Sequence, residues 1–399
     1  IRQVTAGGEG VWMLGGLFTD EWKSSDTFSQ RNETDQRSVQ ESNANVQGMY
    51  RAIPRVRNAS REALNALITY QPDSTWKQAQ MFMAMGLAEL MLAENFCNGV
   101  PLSDGSTGVP VYGPALTNAE LLAAASAHFD TALTKAVPAS LAAASTIATT
   151  SKILQARAKL DLGQGAAAAA LVNGIATTYT DNIVTYSLTT ADNQIWSLNN
   201  SAKRWTVGDS FDVTGLIKNA IPFASANDPR LKVTGSTLGT SASGRGFDGA
   251  TNLIVQGLYA RSDAAWIASG LDARLIEAEV KLQAQDIPGT MTILNALRTA
   301  TQKLTPSFTS PVMAALATPA TQDAAVTTFF REKAFWQFSR GFRLNDLRRQ
   351  MRQYNRTQDN VFPTGSFFKG GNYGSDVNFP VTTDEYNNPN FKGCLDRKP

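Results

Sequence analysis

The amino-acid sequence predicts an all-α fold in which helix pairs stack into a tetratricopeptide-like superhelix, with an irregular insertion poor in β-structure. Apolar residues recur at helical spacing within residues 43–175 and 263–354, in segments separated by short turns. Residues 176–262 are rich in Thr, Ser, Asn and Gly without a helical period, and residues 355–399 are irregular. We therefore expect one domain over residues 1–399, with the insertion carrying the ligand site.

The first predicted helices alternate with polar segments. Residues 9–22 are predicted to be helical, whereas residues 23–42 are polar without a clear period and are predicted to be a loop. Apolar side chains at spacings of three and four then predict helices over residues 43–70 and 74–97. The Gly, Pro and Ser of residues 98–116 end the second of these helices.

The next helix carries two local signals. Thr117 followed by Glu120 has the spacing of a capping box, in which each side chain bonds the backbone N–H of the other residue. Ala125, Phe129 and Ala132 reproduce the small–aromatic–small spacing of a tetratricopeptide repeat, in which small residues let two helices approach closely. A generic helical bundle with alanine-rich contacts explains the same spacing, so both architectures stay open.

The later part of the chain repeats the pattern of helix, turn and helix. Three further pairs are predicted, each joined by a turn with Gly or Pro: residues 147–162 with 165–175, 263–285 with 288–301, and 321–339 with 342–354. Within the insertion, short strands are predicted near residues 183–187 and 252–259.

Composition excludes several classes of function. The formal net charge of +2 is too close to neutral for a dedicated nucleic-acid binder, so no nucleic-acid partner is predicted. With one histidine, His128, and two cysteines, Cys97 and Cys394, the chain cannot build a four-cysteine zinc site or any site with two histidines. No run of 18 apolar residues occurs, so no membrane-spanning helix is predicted.

Isolated motifs do not indicate an enzyme. Residues 244–249 match GxGxxG, but they follow a polar loop and precede no helix, so they lack both flanks of a dinucleotide site. The adjacent carboxylates of Asp20 and Glu21 are more typical of capping or solvated positions than of glycoside hydrolysis. No cofactor or metal is predicted, although a structural calcium ion in the loop of residues 103–107 stays an open alternative.

Residues 331–356 form the most basic segment of the chain. They hold eight Lys and Arg against Glu332 and Asp346, with aromatic residues between them. A nucleic-acid-binding helix is one interpretation. Pairing of the arginines with carboxylates, with their aliphatic stems covering apolar surface, explains the pattern better.

The same segment resembles the C-terminal pattern of the SusD/RagB family. The pattern is Arg-Glu, an apolar helix, Gly-x-Arg and Asp-Leu-Arg, and it falls on Arg331, Glu332, Gly341, Arg343, Asp346, Leu347 and Arg348. Four more segments resemble family elements in the same order: Asp20 to Trp22, Asn227 to Arg230, residues 271–298 and residues 379–391. Arg340 stands where the family usually has Glu, so the local charge network is expected to differ.

The resemblance implies a non-enzymatic nutrient-binding protein on the extracellular face of the outer membrane. Such a protein binds a glycan or peptide and delivers it to a SusC-like TonB-dependent transporter, which we expect to meet the helical-repeat face. It also implies an N-terminal lipid anchor on a cysteine, yet no cysteine precedes Cys97 in this sequence. A helical-repeat scaffold for protein–protein interaction and a polysaccharide-acting glycoside hydrolase stay open as alternatives.

Two sets of site residues follow. Trp196 and Trp205 are the leading candidates for ligand contacts, because indole rings offer an apolar face to sugar rings, with Asn193, Asn199 and Arg204 nearby to bind hydroxyl groups. A tryptophan that anchors a loop to the core is the alternative.

A disulfide is also expected. The cell-surface location implied by the resemblance is oxidising, so we expect the two cysteines, Cys97 and Cys394, to pair.

Overall fold

Helices dominate the computed structural model, which describes residues 1–235 and 244–399. Residues 236–243, part of the predicted insertion, lie outside the described residues. The helices of the described part are α1 (Val11–Phe18), α2 (Ser29–Asp35), α3 (Ala44–Tyr70), α4 (Thr75–Asn95), α5 (Asn118–Lys135), α6 (Ala142–Asp161), α7 (Gly165–Val172), α8 (Gln194–Trp196), α9 (Gly270–Gln283), α10 (Ile287–Arg298), α11 (Gln322–Trp336) and α12 (Arg343–Gln353). The prediction of an all-α fold class is confirmed.

The strands are short and pair only two by two within the described ranges. They are β1 (Trp22–Ser24), β2 (Val100–Pro101), β3 (Ala115–Leu116), β4 (Trp205–Val207), β5 (Phe211–Asp212), β6 (Gly215–Leu216), β7 (Val233–Thr234), β8 (Val255–Gln256), β9 (Gln302–Thr305) and β10 (Phe308–Ser310). All pairs are antiparallel: β1 with β4, β2 with β3, β5 with β6, β7 with β8 and β9 with β10. In residues 176–235 and 244–262 of the insertion, the β-structure is therefore limited to short ladders and isolated bridges.

Helices α4 and α5 pack closely, as the tetratricopeptide-like spacing predicts. The Thr117–Glu120 capping box forms and begins α5. Phe129 is fully buried, and a Cβ added at Gly86 of α4 would lie 2.8 Å from its ring. Only glycine at position 86 leaves room for that ring, so this pair of helices depends on a small residue facing a large one.

Several boundaries differ from the sequence-based expectation. The helix predicted over residues 9–22 ends at Phe18, with Trp22 in β1, and the helix predicted from residue 147 begins at Ala142. Residues 23–42 contain α2, so the prediction of a loop is wrong there: Arg31 in this helix pairs with Asp26 at 2.5 Å, and Asp35 at its end accepts a hydrogen bond from the Ser24 backbone at 2.6 Å. The predicted helix of residues 263–285 begins only at α9, because Ser269 caps it through a capping box with Asp272. Tertiary contacts thus make a helix of the polar residues 29–35, and the Ser269 cap sets the start of α9 later than the apolar pattern predicts.

The basic segment of α11 and α12 is a buried ion network. Arg349 donates to Glu279 at 2.6 Å, to Asp161 at 2.8 Å and to Asp346 at 2.5 Å. Lys333 bridges Glu279 at 3.0 Å and Asp346 at 2.8 Å. These side chains tie α6, α9, α11 and α12 together, so the interpretation of the basic residues as partners of carboxylates is confirmed for Lys333 and Arg349.

Other residues of the family-like pattern have the same structural role. Arg343 pairs with Asp20 at 2.7 Å, joining α12 to the N-terminal segment. Arg340, where the family usually has Glu, pairs with Asp272 through hydrogen bonds of 2.8 Å from both terminal nitrogens. The local charge network therefore accommodates the arginine with a carboxylate from α9.

A disulfide joins Cys97, just after α4, to Cys394 in the C-terminal tail. Their Cα atoms lie 5.8 Å apart and the residues are separated by 297 positions in the sequence. The predicted pairing is confirmed. Across the described residues, we find no helix that is both long enough and apolar enough to cross a membrane.

Candidate functional site

The candidate ligand site is a pocket of about 390 Å³. Four separate parts of the chain build it: β1, the segment from β4 through the β5–β6 hairpin, residues 248–254, and the C-terminal tail. Its lining residues are Lys23, Thr206, Val207, Asp209, Phe211, Asp212, Val213, Asp248, Ala250, Thr251, Asn252, Ile254, Phe368 and Lys369.

The floor of the pocket is the β1–β4 ladder. Lys23 lies opposite Thr206 in this antiparallel pair. The hydroxyl of Thr206 donates to the carbonyl of Asn252 at 3.0 Å and accepts from the backbone N–H of Ile254 at 2.7 Å. One threonine thus fixes the segment of residues 252–254 against the floor, which positions one wall of the pocket.

Two ion pairs lie near an aromatic ring in the wall. Lys23 pairs with Asp212 at 3.1 Å, and Lys369 pairs with Asp248 at 2.8 Å. The Nζ atoms of both lysines lie near the ring of Phe368, 5.4 Å and 5.6 Å from its centroid. The two cations hold this ring by cation–π attraction while their charges are neutralised by the aspartates.

The carboxylates of both ion pairs are engaged by further hydrogen bonds. Burial alone would raise the pKa of Asp248, but hydrogen bonds from Lys369 and Thr251 lower this pKa to about 2. Asp212 is in contact with Lys23 and also accepts from the backbone of Thr214 at 2.8 Å. Asp248, with its lowered pKa, is therefore not suited to hold a proton for transfer to a ligand, and Asp212 is occupied by its two partners.

Asp209 is the third carboxyl group of the lining and the most buried. It is 3% exposed, and burial raises its pKa. One of its oxygens accepts from the Ser225 hydroxyl at 2.7 Å and from the Ser210 backbone at 2.8 Å. The lining thus carries three carboxyl groups against two ammonium groups, which disfavours an anionic ligand.

The rim of the pocket is apolar. In the β5–β6 hairpin, Phe211 is 43% exposed, Val213 76% and Leu216 61%. Exposed apolar side chains clustered beside a cavity are typical of a binding surface.

An aromatic shelf adjoins the pocket. The guanidinium of Arg204 lies 3.7 Å from the ring centroid of Phe247 and 5.0 Å from that of Phe28, and both rings are half-exposed. Arg204 also pairs with Asp26 at 2.7 Å. Because Phe247 directly precedes Asp248 of the lining, this shelf extends the site beyond the pocket.

The structure separates the predicted site residues from one another. The prediction is wrong for Trp205, Asn193 and Asn199, whose side chains are fully buried. Trp205 lies in β4, Asn193 caps α8, and Asn199 donates to the carbonyls of Trp205 and Ile254 at 2.7 Å and 3.0 Å. These residues hold the insertion together, and Trp205 anchors its segment to the core, which was the alternative to ligand contact.

Two predicted contacts keep accessible surface. Arg204 belongs to the shelf beside the pocket. Trp196 is half-buried, with the Arg261 guanidinium 5.6 Å from its ring, and it does not line the pocket. Its contact with ligand stays a prediction.

Sequence reasoning missed Lys23, Phe211, Phe368 and Lys369. The available signal in the sequence was the run of Phe367, Phe368 and Lys369 in a glycine-rich tail, because two adjacent aromatic residues cannot both face the core of an extended segment. In the structure, Phe367 is buried and Phe368 is part-exposed. Nothing local to the sequence indicates that this tail meets β1.

The remaining candidates have structural partners. Asp104, in the loop considered for calcium, accepts from the Ser106 backbone at 3.0 Å and pairs with Arg61 at 3.2 Å. His128 lies 2.6 Å from a carboxylate oxygen of Glu89. Among the described residues, no group of three or more His, Cys, Asp or Glu is placed to hold a metal ion.

Comparison with known proteins gives matches in structure only. No family model and no curated protein matches the chain. A SusD-like carbohydrate binding protein from Bacteroides vulgatus has a TM-score of 0.64 at 14% identity, covering 96% of this chain and 91% of that chain. A SusD-like carbohydrate binding protein from Bacteroides fragilis has a TM-score of 0.61 at 13% identity, covering 96% and 93%.

A third structure agrees with these two. A SusD superfamily protein from Bacteroides vulgatus has a TM-score of 0.60 at 13% identity, with 98% of this chain and 94% of that chain covered. The likeness extends over nearly the whole chain, as do the motifs that resemble the family. This chain has a SusD-like fold.

Proposed function

We propose that this chain is a non-enzymatic, cell-surface nutrient-binding protein that captures an oligosaccharide in the 390 Å³ pocket. The observation that carries the proposal is the part-exposed ring of Phe368, which lies in the pocket lining near two ion pairs and the exposed apolar side chains of the β5–β6 hairpin. Sugar rings present apolar C–H faces that pack on such a ring, and the ion pairs and amides around it can bind hydroxyl groups. The carbohydrate-binding proteins of the same fold support this class of ligand.

The charges favour binding over hydrolysis. A glycoside hydrolase needs one carboxyl group that donates a proton and a second that acts as base or nucleophile. Asp212 and Asp248 are each engaged by a lysine, and one oxygen of Asp209 accepts hydrogen bonds from the Ser225 hydroxyl and the Ser210 backbone. With carboxyl groups in excess over ammonium groups, we propose a neutral saccharide as the ligand.

The likeness in fold also supports a place in import. We propose that the protein lies on the extracellular face of the outer membrane, held by a lipid anchor, and passes its ligand to a SusC-like TonB-dependent transporter. Helices α3 to α7 would supply the surface that meets the transporter, since stacked helix pairs present broad surfaces to large partners. Cross-links from the transporter only to residues 176–262 would contradict this arrangement.

Calorimetric titration with neutral, acidic and amino oligosaccharides and with short peptides tests the ligand class. We expect Phe368→Ala and Phe211→Ala to weaken binding of a neutral oligosaccharide by about 5- to 10-fold, on the order of one aromatic contact. Tyr70→Ala is the matched control, because Tyr70 is 82% exposed at the end of α3 and outside the pocket lining.

Three results would contradict the proposal. They are equal binding by the Phe368→Ala and Tyr70→Ala variants, preference for a peptide, and release of shorter products from the bound saccharide. The last result would favour the hydrolase. The Trp196→Ala variant tests the earlier candidate in the same titration, with weakened binding expected only if the ligand extends past the pocket.

A further inference from the structure

A second cavity, of about 260 Å³, lies where α11 and α12 meet the insertion. It shares no lining residue with the pocket described above. Its lining residues are Asn219, Ala220, Ile221, Thr327, Phe330, Arg331, Arg343, Leu347, Gln350, Arg356, Asn360 and Val361. We call it the arginine cleft, because three arginines face one small space and none of the described lining residues is acidic.

The three guanidinium groups are not equally neutralised. Arg343 forms a two-pronged pair with Asp20, at 2.7 Å and 2.8 Å, and Arg356 pairs with Asp323 at 2.8 Å. Arg331 is exposed and has no ion-pair partner among the described residues. The cleft therefore keeps one uncompensated positive charge. The saccharide pocket differs, because its lining has more carboxyl groups than ammonium groups.

The cleft also holds a side-chain amide that has no partner among the described residues. Gln350 is 4% exposed, and its side-chain amide makes no hydrogen bond with the described part of the chain. The amide atoms of Gln350 are not sealed from solvent, so they stay available to a molecule that enters the cleft. The amide of Gln350 can donate to an oxygen atom that enters the cleft.

The floor of the cleft is apolar. Ile221, Phe330, Leu347 and Val361 all line it and are all less than 9% exposed. A ligand that fits must therefore combine an anionic group with carbon surface. The cavity is smaller than the roughly 300–1,000 Å³ typical of sites for drug-sized ligands, so it suits one small molecule.

We propose that the arginine cleft binds a small organic carboxylate, independently of the saccharide pocket. The carboxylate pairs with Arg331, whose planar fork matches its two oxygens, and Gln350 donates a further hydrogen bond. The carbon skeleton of the ligand packs on Phe330 and Leu347. Uronic acids and amino acids both have this chemistry.

Binding of D-galacturonate, N-acetyl-leucine and uncharged D-galactose at low salt tests the proposal. We expect the parent protein to bind at least one of the two carboxylates and not galactose. Arg331→Gln should weaken that binding at least about tenfold, because it removes the unpaired charge, and Gln350→Leu should weaken it about fivefold. The two carboxylates distinguish a uronic acid from an amino acid as the natural ligand.

Arg55→Gln is the matched control, since Arg55 is also exposed and makes no ion pair with the described residues. This control and Phe368→Ala should bind the carboxylate as the parent protein does. The proposal is overturned if the parent binds neither carboxylate at millimolar concentration, or if Arg331→Gln and Arg55→Gln change the affinity equally. Loss of binding in Phe368→Ala would place the carboxylate in the saccharide pocket and would also overturn it.

Discussion

Replacing Glu332 by glutamine tests how much a buried ion pair stabilises this fold. The Glu332 carboxylate accepts four hydrogen bonds, from Arg230 at 2.6 Å and 3.0 Å and from Arg298 at 3.0 Å to each oxygen. Removing one partner of a buried pair costs roughly 3–5 kcal/mol, since the remaining charges stay buried. Arg230 keeps Asp228 as a partner at 2.6 Å, so we expect Glu332→Gln to lower the free energy of unfolding by about 3 kcal/mol.

Urea unfolding followed by tryptophan fluorescence measures this loss. Glu277→Gln is the matched control. Glu277 pairs with Arg274 at 2.8 Å, but this pair is partly open to solvent, since the Glu277 side chain is 21% exposed and that of Arg274 is 23% exposed. Exposed pairs contribute at most about 1 kcal/mol. Equal losses in the two variants, or a loss under about 1 kcal/mol in Glu332→Gln, would refute the argument from burial.

Three further predictions concern packing, covalent linkage and pH. Phe129→Ala should cost roughly 3–5 kcal/mol in thermal or urea unfolding, and a loss below about 1 kcal/mol would contradict its close packing on α4. Replacing Cys97 and Cys394 by serine should cost roughly 3–5 kcal/mol, with an unchanged urea midpoint as the contrary result. Burial raises the pKa of Glu21 from 4.5 to about 8, so its contribution to stability is complete below about pH 4.5 and is lost as the pH rises through 8. Glu21→Gln should therefore reduce the fall in stability between pH 5 and 8, and an unchanged pH profile would contradict this assignment.

Local signals in the sequence predicted local structure well. The capping box of Thr117 and Glu120 involves residues three apart, and the start of α5 follows from it alone. Helix α2 was missed because its stability comes from Asp26 and Ser24 outside the helix, which no periodicity records. Of the two segments predicted as strands, residues 252–259 hold β8, whereas residues 183–187 form only isolated bridges, and strands such as β1 and β4 depend on pairing between segments far apart in the sequence.

The binding site was less predictable because its walls are distant in sequence. Trp205 was proposed as a contact from its place in a polar segment, yet pairing of its strand with β1 buries it completely. That pairing instead exposes Lys23 to the pocket, where Phe368 arrives from the tail. A sequence shows which residues are polar or aromatic, but only the long-range pairing decides which of them a ligand can reach.

The contacts of the N-terminal segment constrain how the chain can fold during synthesis. Trp22 and Glu21 bond Ser339, and Asp20 pairs with Arg343, so partners more than 300 residues apart complete one core. All residues of α1 are buried in the finished protein, yet they leave the ribosome long before α12 exists. This apolar segment must therefore wait uncovered or be shielded by a chaperone. Any product that stops short of Ser339 lacks the surface that should cover it, and we expect such products to aggregate or be degraded.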